Sequence, residues 1–316
     1  MIVKTIVKEE KQLYSSFPTM SICKDYLAIF YRQGVVDAKN PHGFCGKVKY
    51  IRLKLSELEN FFNQNSPIDI QENTIFESQN ELDAIVSKLS DKLYTLGTRI
   101  FVKDKINDVF LSVSSDCNFK ERQKVSIKDV NLAAFYGKSL SAESYYIFSA
   151  YGTLKKETFT RPLFIATEDF SHFKLFSHIE SSKDLMLNET SVVKTENFYI
   201  AFSRKDTYPN YALYYSTSKD LVNWDKPEKF LDFALAPMAI NINGTIFVSF
   251  RDNEGNTNKI SIINTKTRKK KIIDTYTGSL FDGGYTDLAF INEYIYIVYY
   301  TNNQAPFIKM AKLKPF

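Results

Sequence analysis

Apolar and polar positions alternate in short runs along most of this chain, with aromatic and β-branched residues on the apolar side and Gly, Asn, Asp and Lys between the runs. That period-two texture predicts strands joined by tight turns. The clearest stretch is N-E-T-S-V-V-K-T-E-N-F-Y-I-A-F-S-R-K-D-T-Y-P-N-Y-A-L-Y-Y-S-T-S-K-D-L-V-N-W at 188–224, which reads as three strands at 190–193, 198–203 and 212–217. Similar pairs fall at 17–22 with 26–32, 99–102 with 109–113, 133–136 with 144–148, 238–242 with 245–251, and 286–291 with 294–300. They recur at roughly forty to fifty residues, the period of propeller blades. The first apolar run, Ile2–Val7, is expected to pair with the C-terminal sheet and so remove an open edge.

Two stretches depart from the alternation. Leu82, Ile85, Val86, Leu89 and Leu93 stand three and four apart, which predicts a short helix inserted near 80–93. Ser56 with Glu59 predicts a capping box and a single helical turn. The segment 33–46, Q-G-V-V-D-A-K-N-P-H-G-F-C-G, is punctuated by glycine and carries Asp37 and His42, and is read as a long loop suited to chemistry. Blade ends echo one another: Ser114 and Asp116 precede Phe119, Thr167 and Asp169 precede Phe173, and Ser218 and Asp220 precede Trp224. A hydroxyl and a carboxylate two apart can both bond turn amides, so these Asp-box-like turns are read as structural.

Composition adds few constraints. The 316 residues are 44% hydrophobic, with 26 Phe and 20 Tyr, enough for a single all-β propeller domain over 1–316. The net charge of +5 is dispersed, and the dense basic run at 266–271 lies between strand-like segments, where a solvated turn is the expectation rather than a nucleic-acid surface. Cys23, Cys45 and Cys117 make no CxxC pair and are expected as reduced thiols in or near the core. Neither a span long enough to cross a bilayer nor a secretory h-region is visible, so cytoplasmic residence, or export by a route the sequence does not show, is the default expectation. The scattered His42, His172 and His178 offer no metal-ligand spacing, and no cofactor motif is present.

The candidate chemistry lies in five ordered positions. Asp37 sits in the early glycine-punctuated segment, Glu189 opens a strand, Arg204 and Arg251 close strands, and Tyr285 follows Gly283-Gly284 in G-G-Y-T-D-L. Together with the S-x-D-x-x-x-W ending at Trp224, this order resembles the sialidase superfamily over nearly the whole chain. The resemblance implies a six-bladed β-propeller that hydrolyses a terminal acidic sugar with retention and without metal. It implies Tyr285 as nucleophile, Glu189 as its partner, Asp37 as acid and base, and Arg204 and Arg251 on the substrate carboxylate. The family's opening R-I-P triplet is here Ser16-Phe17-Pro18, so one arm of the clamp is missing unless Arg32 or Arg161 supplies it.

A tyrosine suits such a substrate. An anionic carboxylate nucleophile would approach an anomeric carbon bearing a second carboxylate, and a neutral phenol avoids that repulsion; sialidases are the known tyrosine exception among glycosidases. A free phenol has a pKa of about 10, so a neighbouring carboxylate must take its proton. Arg204 and Arg251 are followed by Asp206 and Asp252, and plain ion pairs are the competing reading for both. Two other functions fit the pattern: a non-catalytic propeller that binds a glycan or a protein on its axial face, and a five-bladed glycosidase or glycoside phosphorylase.

Overall fold

The computed structural model describes residues 1–8, 12–37, 40–63, 70, 72–78, 80–101, 107–142, 144–207, 210–278, 283–301 and 307–316, with the side chains of 37, 40–43 and 256 excepted. Six antiparallel sheets follow one another along the chain. Blade 1 holds Leu13–Cys23, Tyr26–Asp37, Asn40–Lys54 and Glu72–Glu77, and blade 2 holds Glu81–Ser90, Leu93–Phe101, Asn107–Ser114 and Gln123–Lys124. Blade 3 is Val130–Phe135, Tyr145–Leu154, Arg161–Thr167 and Lys174–His178, with the short Leu140–Ala142 also on Tyr145–Leu154. Blade 4 is Leu187–Lys194, Tyr199–Lys205, Ala212–Ser218 and Glu228–Asp232; blade 5 is Ala234–Ile242, Thr245–Asp252, Asn258–Asn264 and Lys270–Tyr276. Blade 6 combines Thr286–Ile291, Tyr294–Tyr300 and Ile308–Leu313 with the N-terminal Ile2–Val7, which pairs antiparallel with Ile308–Leu313 and closes the ring.

The count of six excludes the five-bladed alternative. The core is divided accordingly: six apolar clusters each join one blade to the next, for example Leu27, Ile29 and Tyr31 against Val298 and Tyr300 between blades 1 and 6. Phe164 and Trp224 stack at 4.8 Å between blades 3 and 4. Apolar burial between neighbours, rather than one central core, holds the ring.

Three sequence expectations are corrected. The stretch 80–93 is strand, not helix: Glu81–Ser90 pairs with Leu93–Phe101, and Ala84 and Val86 alternate inward in the core between blades 1 and 2. Its i, i+3, i+4 spacing arose because Leu82, Ile85 and Leu89 are half-buried as well, so apolar residues fall on more than one face of the strand. The only α-helical turn among the described residues is Leu58–Asn63, entered through Leu55–Glu57, as Ser56 and Glu59 suggested. The segment 33–46 is mostly hairpin, since Tyr26–Asp37 and Asn40–Lys54 run as two long strands with Asp37 opposite Asn40. Finally, Cys23 and Cys117 are joined in a disulfide linking blades 1 and 2, and Cys45 alone remains free and exposed.

One device recurs at the axis. The first strands of the blades pack around it, and their register slips at 16–19, 81–83, 187–190 and 235–238 in blades 1, 2, 4 and 5. In blade 3 the four residues 136–139 interrupt the edge between Val130–Phe135 and Leu140–Ala142. A bulge turns a side chain out of the alternation. Here Phe17, Pro18, Asp83, Tyr136 and Glu189, at or beside such sites, all line one hollow.

Candidate active site

The hollow is lined by Phe17, Asp83, Arg99, Tyr136, Glu189, Met238 and Tyr285, among others, and so draws on all six blades. Glu189 is buried at the bulge of the first strand of blade 4, where its amide donates to Asn188 Oδ1 at 2.7 Å. Arg204 lies across the hairpin at the end of Tyr199–Lys205. Tyr285 precedes the first strand of blade 6 and follows two glycines with φ of 84° and 73°. A side chain at Gly284 would meet Arg251 Cβ at 2.9 Å, so glycine is required there both by its backbone and by the close approach of Arg251.

These segments converge on three groups. The Tyr285 hydroxyl donates to Glu189 Oε1 at 2.6 Å, and Arg204 Nη1 donates to Glu189 Oε2 at 2.9 Å and to the Tyr285 oxygen at 3.2 Å. Arg204 Nη2 also reaches Asp206 at 2.7 Å, and Asp206 accepts from Asn188 at 3.0 Å. The ion pair with Asp206 therefore coexists with the bond to Glu189. Burial, then the charge of Glu189, pushes the Tyr285 phenol well above its ordinary range, against the opposing pull of Arg204 and Arg251. The phenol is thus protonated at neutral pH, and it donates to the Glu189 carboxylate.

The remaining sequence candidates divide. Arg251 is buried with its guanidinium 5.9 Å from the Tyr285 ring centre, while Nη1 donates to the Gly283 carbonyl at 2.9 Å. Arg32 does not line the hollow: it is fully buried, with Nε donating to the Glu81 carbonyl at 2.6 Å and Nη2 to Asn80 at 3.1 Å. Arg161 is taken up by Glu157 and His178 in blade 3. The Asp37 side chain falls outside the described residues. Where the opening arginine was missed, Phe17 fills the wall with its ring edge-on to Tyr285 at 5.0 Å, in a left-handed conformation of φ 50° that a bulky residue adopts only under constraint.

Sequence reading overlooked three lining residues. Asp83 pairs with Arg99 at 2.7 Å, and Arg99 Nη1 donates to Tyr151 at 3.3 Å. Burial raises the Asp83 carboxyl pKa, with the charge of Glu189 adding to it and Arg99 opposing. Tyr136 is the third, its ring edge-on to Tyr285 at 6.3 Å. A charged residue inside the apolar run L-D-A-I-V, and an aromatic just before Gly-Lys in A-F-Y-G-K, were the available signals. Among the described residues no group of three or more His, Cys, Asp or Glu side chains is arranged to hold a metal ion, and no helix is long and apolar enough to cross a membrane.

No protein-family model and no curated protein matches this sequence. Solved structures do. A protein of unknown function from Dyadobacter fermentans DSM 18053 superposes with a TM-score of 0.78 at 12% identity, covering 99% of each chain. Trypanosoma rangeli sialidase in complex with sialic acid gives 0.66 at 9% identity, over 98% of this chain and 58% of that one. The same sialidase as a covalent intermediate with 2,3-difluorosialic acid gives 0.67 at 10% identity, over 97% and 56%; a further structure holds the inhibitor DANA. The chain thus spans a little under three fifths of the sialidase chains it resembles. At these identities the likeness establishes the fold: a six-bladed, sialidase-like β-propeller.

Proposed function

We propose that this chain is an exo-acting, retaining glycoside hydrolase of the sialidase type, acting on a terminal sialic-acid-like or other acidic sugar of the nonulosonic or Kdo class. The observation that carries the proposal is the 2.6 Å bond from Tyr285 to Glu189 with Arg204 3.2 Å from the same phenol oxygen. In the first step the Tyr285 oxygen bonds to the anomeric carbon as the glycosidic bond breaks, and its proton passes to Glu189. The departing oxygen takes a proton from a carboxylic acid. Chain order gives that role to Asp37; Asp83, whose pKa burial raises, is a carboxyl group that lines the hollow. Water then cleaves the tyrosyl–sugar bond, and two displacements restore the configuration. Arg204 supports the phenolate as it forms and offers charge to the sugar carboxylate.

The test is trapping together with turnover. A 2,3-difluoro acidic sugar should add its mass to the peptide containing Tyr285, and Tyr285→Phe should lower hydrolysis of aryl sialosides or Kdo glycosides by at least about 10³-fold with the fold intact. Unlabelled Tyr285, or undiminished turnover in the variant, defeats the mechanism. A second reading, a glycan-binding propeller without turnover, is favoured by one observation, the apolar Phe17 wall beside Tyr285. Sugar binding with neither labelling nor turnover would select it.

A further inference from the structure

The four residues 136–139 break into blade 3 and run toward the axis. Gly137, with φ 78°, lies against the backbone just after Glu189, where a Cβ would meet the Thr190 carbonyl at 2.6 Å. Lys138 reaches the Met20 carbonyl at 2.8 Å, the Val86 carbonyl at 2.9 Å and the Asp287 carboxylate. The Ser139 amide donates to Ser87 at 2.9 Å, and the Tyr136 amide to the Ser149 carbonyl at 3.0 Å. The turn is therefore fixed to blades 1, 2, 4 and 6 at once, and the position of Tyr136 is fixed with it.

Held there, the Tyr136 side chain is 5% exposed and lines the hollow, yet no group among the described residues accepts from or donates to its hydroxyl. A buried, unpaired hydroxyl is costly, and folds place one where something else bonds it. Burial and the charges of Glu189 and Tyr285 keep the phenol protonated, so it is a donor. Arg204 is a second donor beside Tyr285, and Phe17 closes another side with carbon. A carboxylate on the carbon that meets Tyr285 would carry no proton and could accept from both donors at once.

We infer that Tyr136 is a specificity-determining residue, whose phenol donates a hydrogen bond to the carboxylate of an acidic sugar drawn up to Tyr285. This rests on the reading of Tyr285 as the atom that meets the anomeric carbon. Tyr136→Phe removes only the hydroxyl. A hydrogen bond to a charged group predicts that this variant binds DANA about ten- to hundred-fold more weakly by calorimetry. It should bind the same glycal with hydrogen in place of its carboxylate as the unchanged protein does. Its thermal midpoint should not fall, because no bond within the protein is lost.

Undiminished DANA affinity in Tyr136→Phe overturns the inference while leaving hydrolysis to stand on its own measurement. Weakened binding in a protein that never turns over a sugar supports the inference and refutes the enzymatic reading instead. A lowered midpoint overturns the inference, since the hydroxyl would then have a structural partner. A wild-type protein that binds no acidic sugar also overturns it, and turnover of neutral aryl glycosides would decide separately whether the chain is an enzyme.

Discussion

Two charged clusters meet near the axis, and they differ in how completely they are satisfied. Around Asp287, fully buried, one carboxylate oxygen accepts from Thr19 at 2.8 Å, the Met20 amide at 2.7 Å and Lys138, while the other accepts from the Leu288 amide at 2.7 Å. Around Tyr285, two residues earlier, Glu189 and Arg204 are bonded, but Arg204 Nε and the Tyr136 hydroxyl are buried without hydrogen-bond partners among the described residues. A carboxylate with four donors from three blades is a fastening. A cluster that keeps donors in hand is arranged for a molecule that arrives later. The same bulged strand edges produce both, so what separates structure from chemistry here is the accounting of polar atoms rather than their location.

The contrast can be broken from either side. The largest effect is expected from Lys138→Met, which leaves the Asp287 charge buried and uncompensated and should cost about 3–5 kcal/mol in a denaturant titration. Lys138→Met with Asp287→Asn should recover most of that loss, and a single-variant loss below about 1 kcal/mol would mean that the pair is not a fastening at all. A reference away from the axis is the Cys23–Cys117 disulfide, 94 residues apart. Replacing both cysteines with serine should cost about 2–4 kcal/mol, with no change in sugar affinity. The smallest signal concerns the phenol itself. Because the Tyr285 pKa is raised, the wild-type minus Tyr285→Phe absorbance difference at the phenolate band should stay flat to pH 10. The linkage has a definite sign: the folded state holds this proton more tightly than the unfolded one, so stability falls as pH rises above the unfolded value of about 10, and Tyr285→Phe should lessen that fall. An ionisation seen near pH 8 would place the phenol in a quite different environment.

Much of the ring was legible because strands and turns are local. The runs around Ile200 and Ile297, and the spacing of Ser218, Asp220 and Trp224, encode blade geometry within a few residues; Asp220 does accept from the Val222 and Asn223 amides at 2.8 Å. Order along the chain was enough to bring Glu189, Arg204 and Tyr285 together, since each sits where a strand meets the axial end of its blade. What escaped depends on contacts between blades. Leu82, Ile85 and Leu89 read as a helix because only the neighbouring blade makes Ala84 and Val86 the deeper pair. Cys23 and Cys117 become partners only when blades 1 and 2 stand side by side. Arg32 resembled a ligand for an acidic sugar, yet the close backbone approach allowed by Gly34 and Gly46 encloses it. Asp83, Arg99 and Tyr136 lie in ordinary strand-like text, and only the folded ring brings them to a common space.

The closing strand carries a consequence for assembly. Ile2–Val7 finds its place only beside Ile308–Leu313, so on a ribosome it must wait until all six blades have been made before the circle is sealed. Until then blades 1 and 6 present their facing apolar surfaces to water, a window in which the open ring is prone to association.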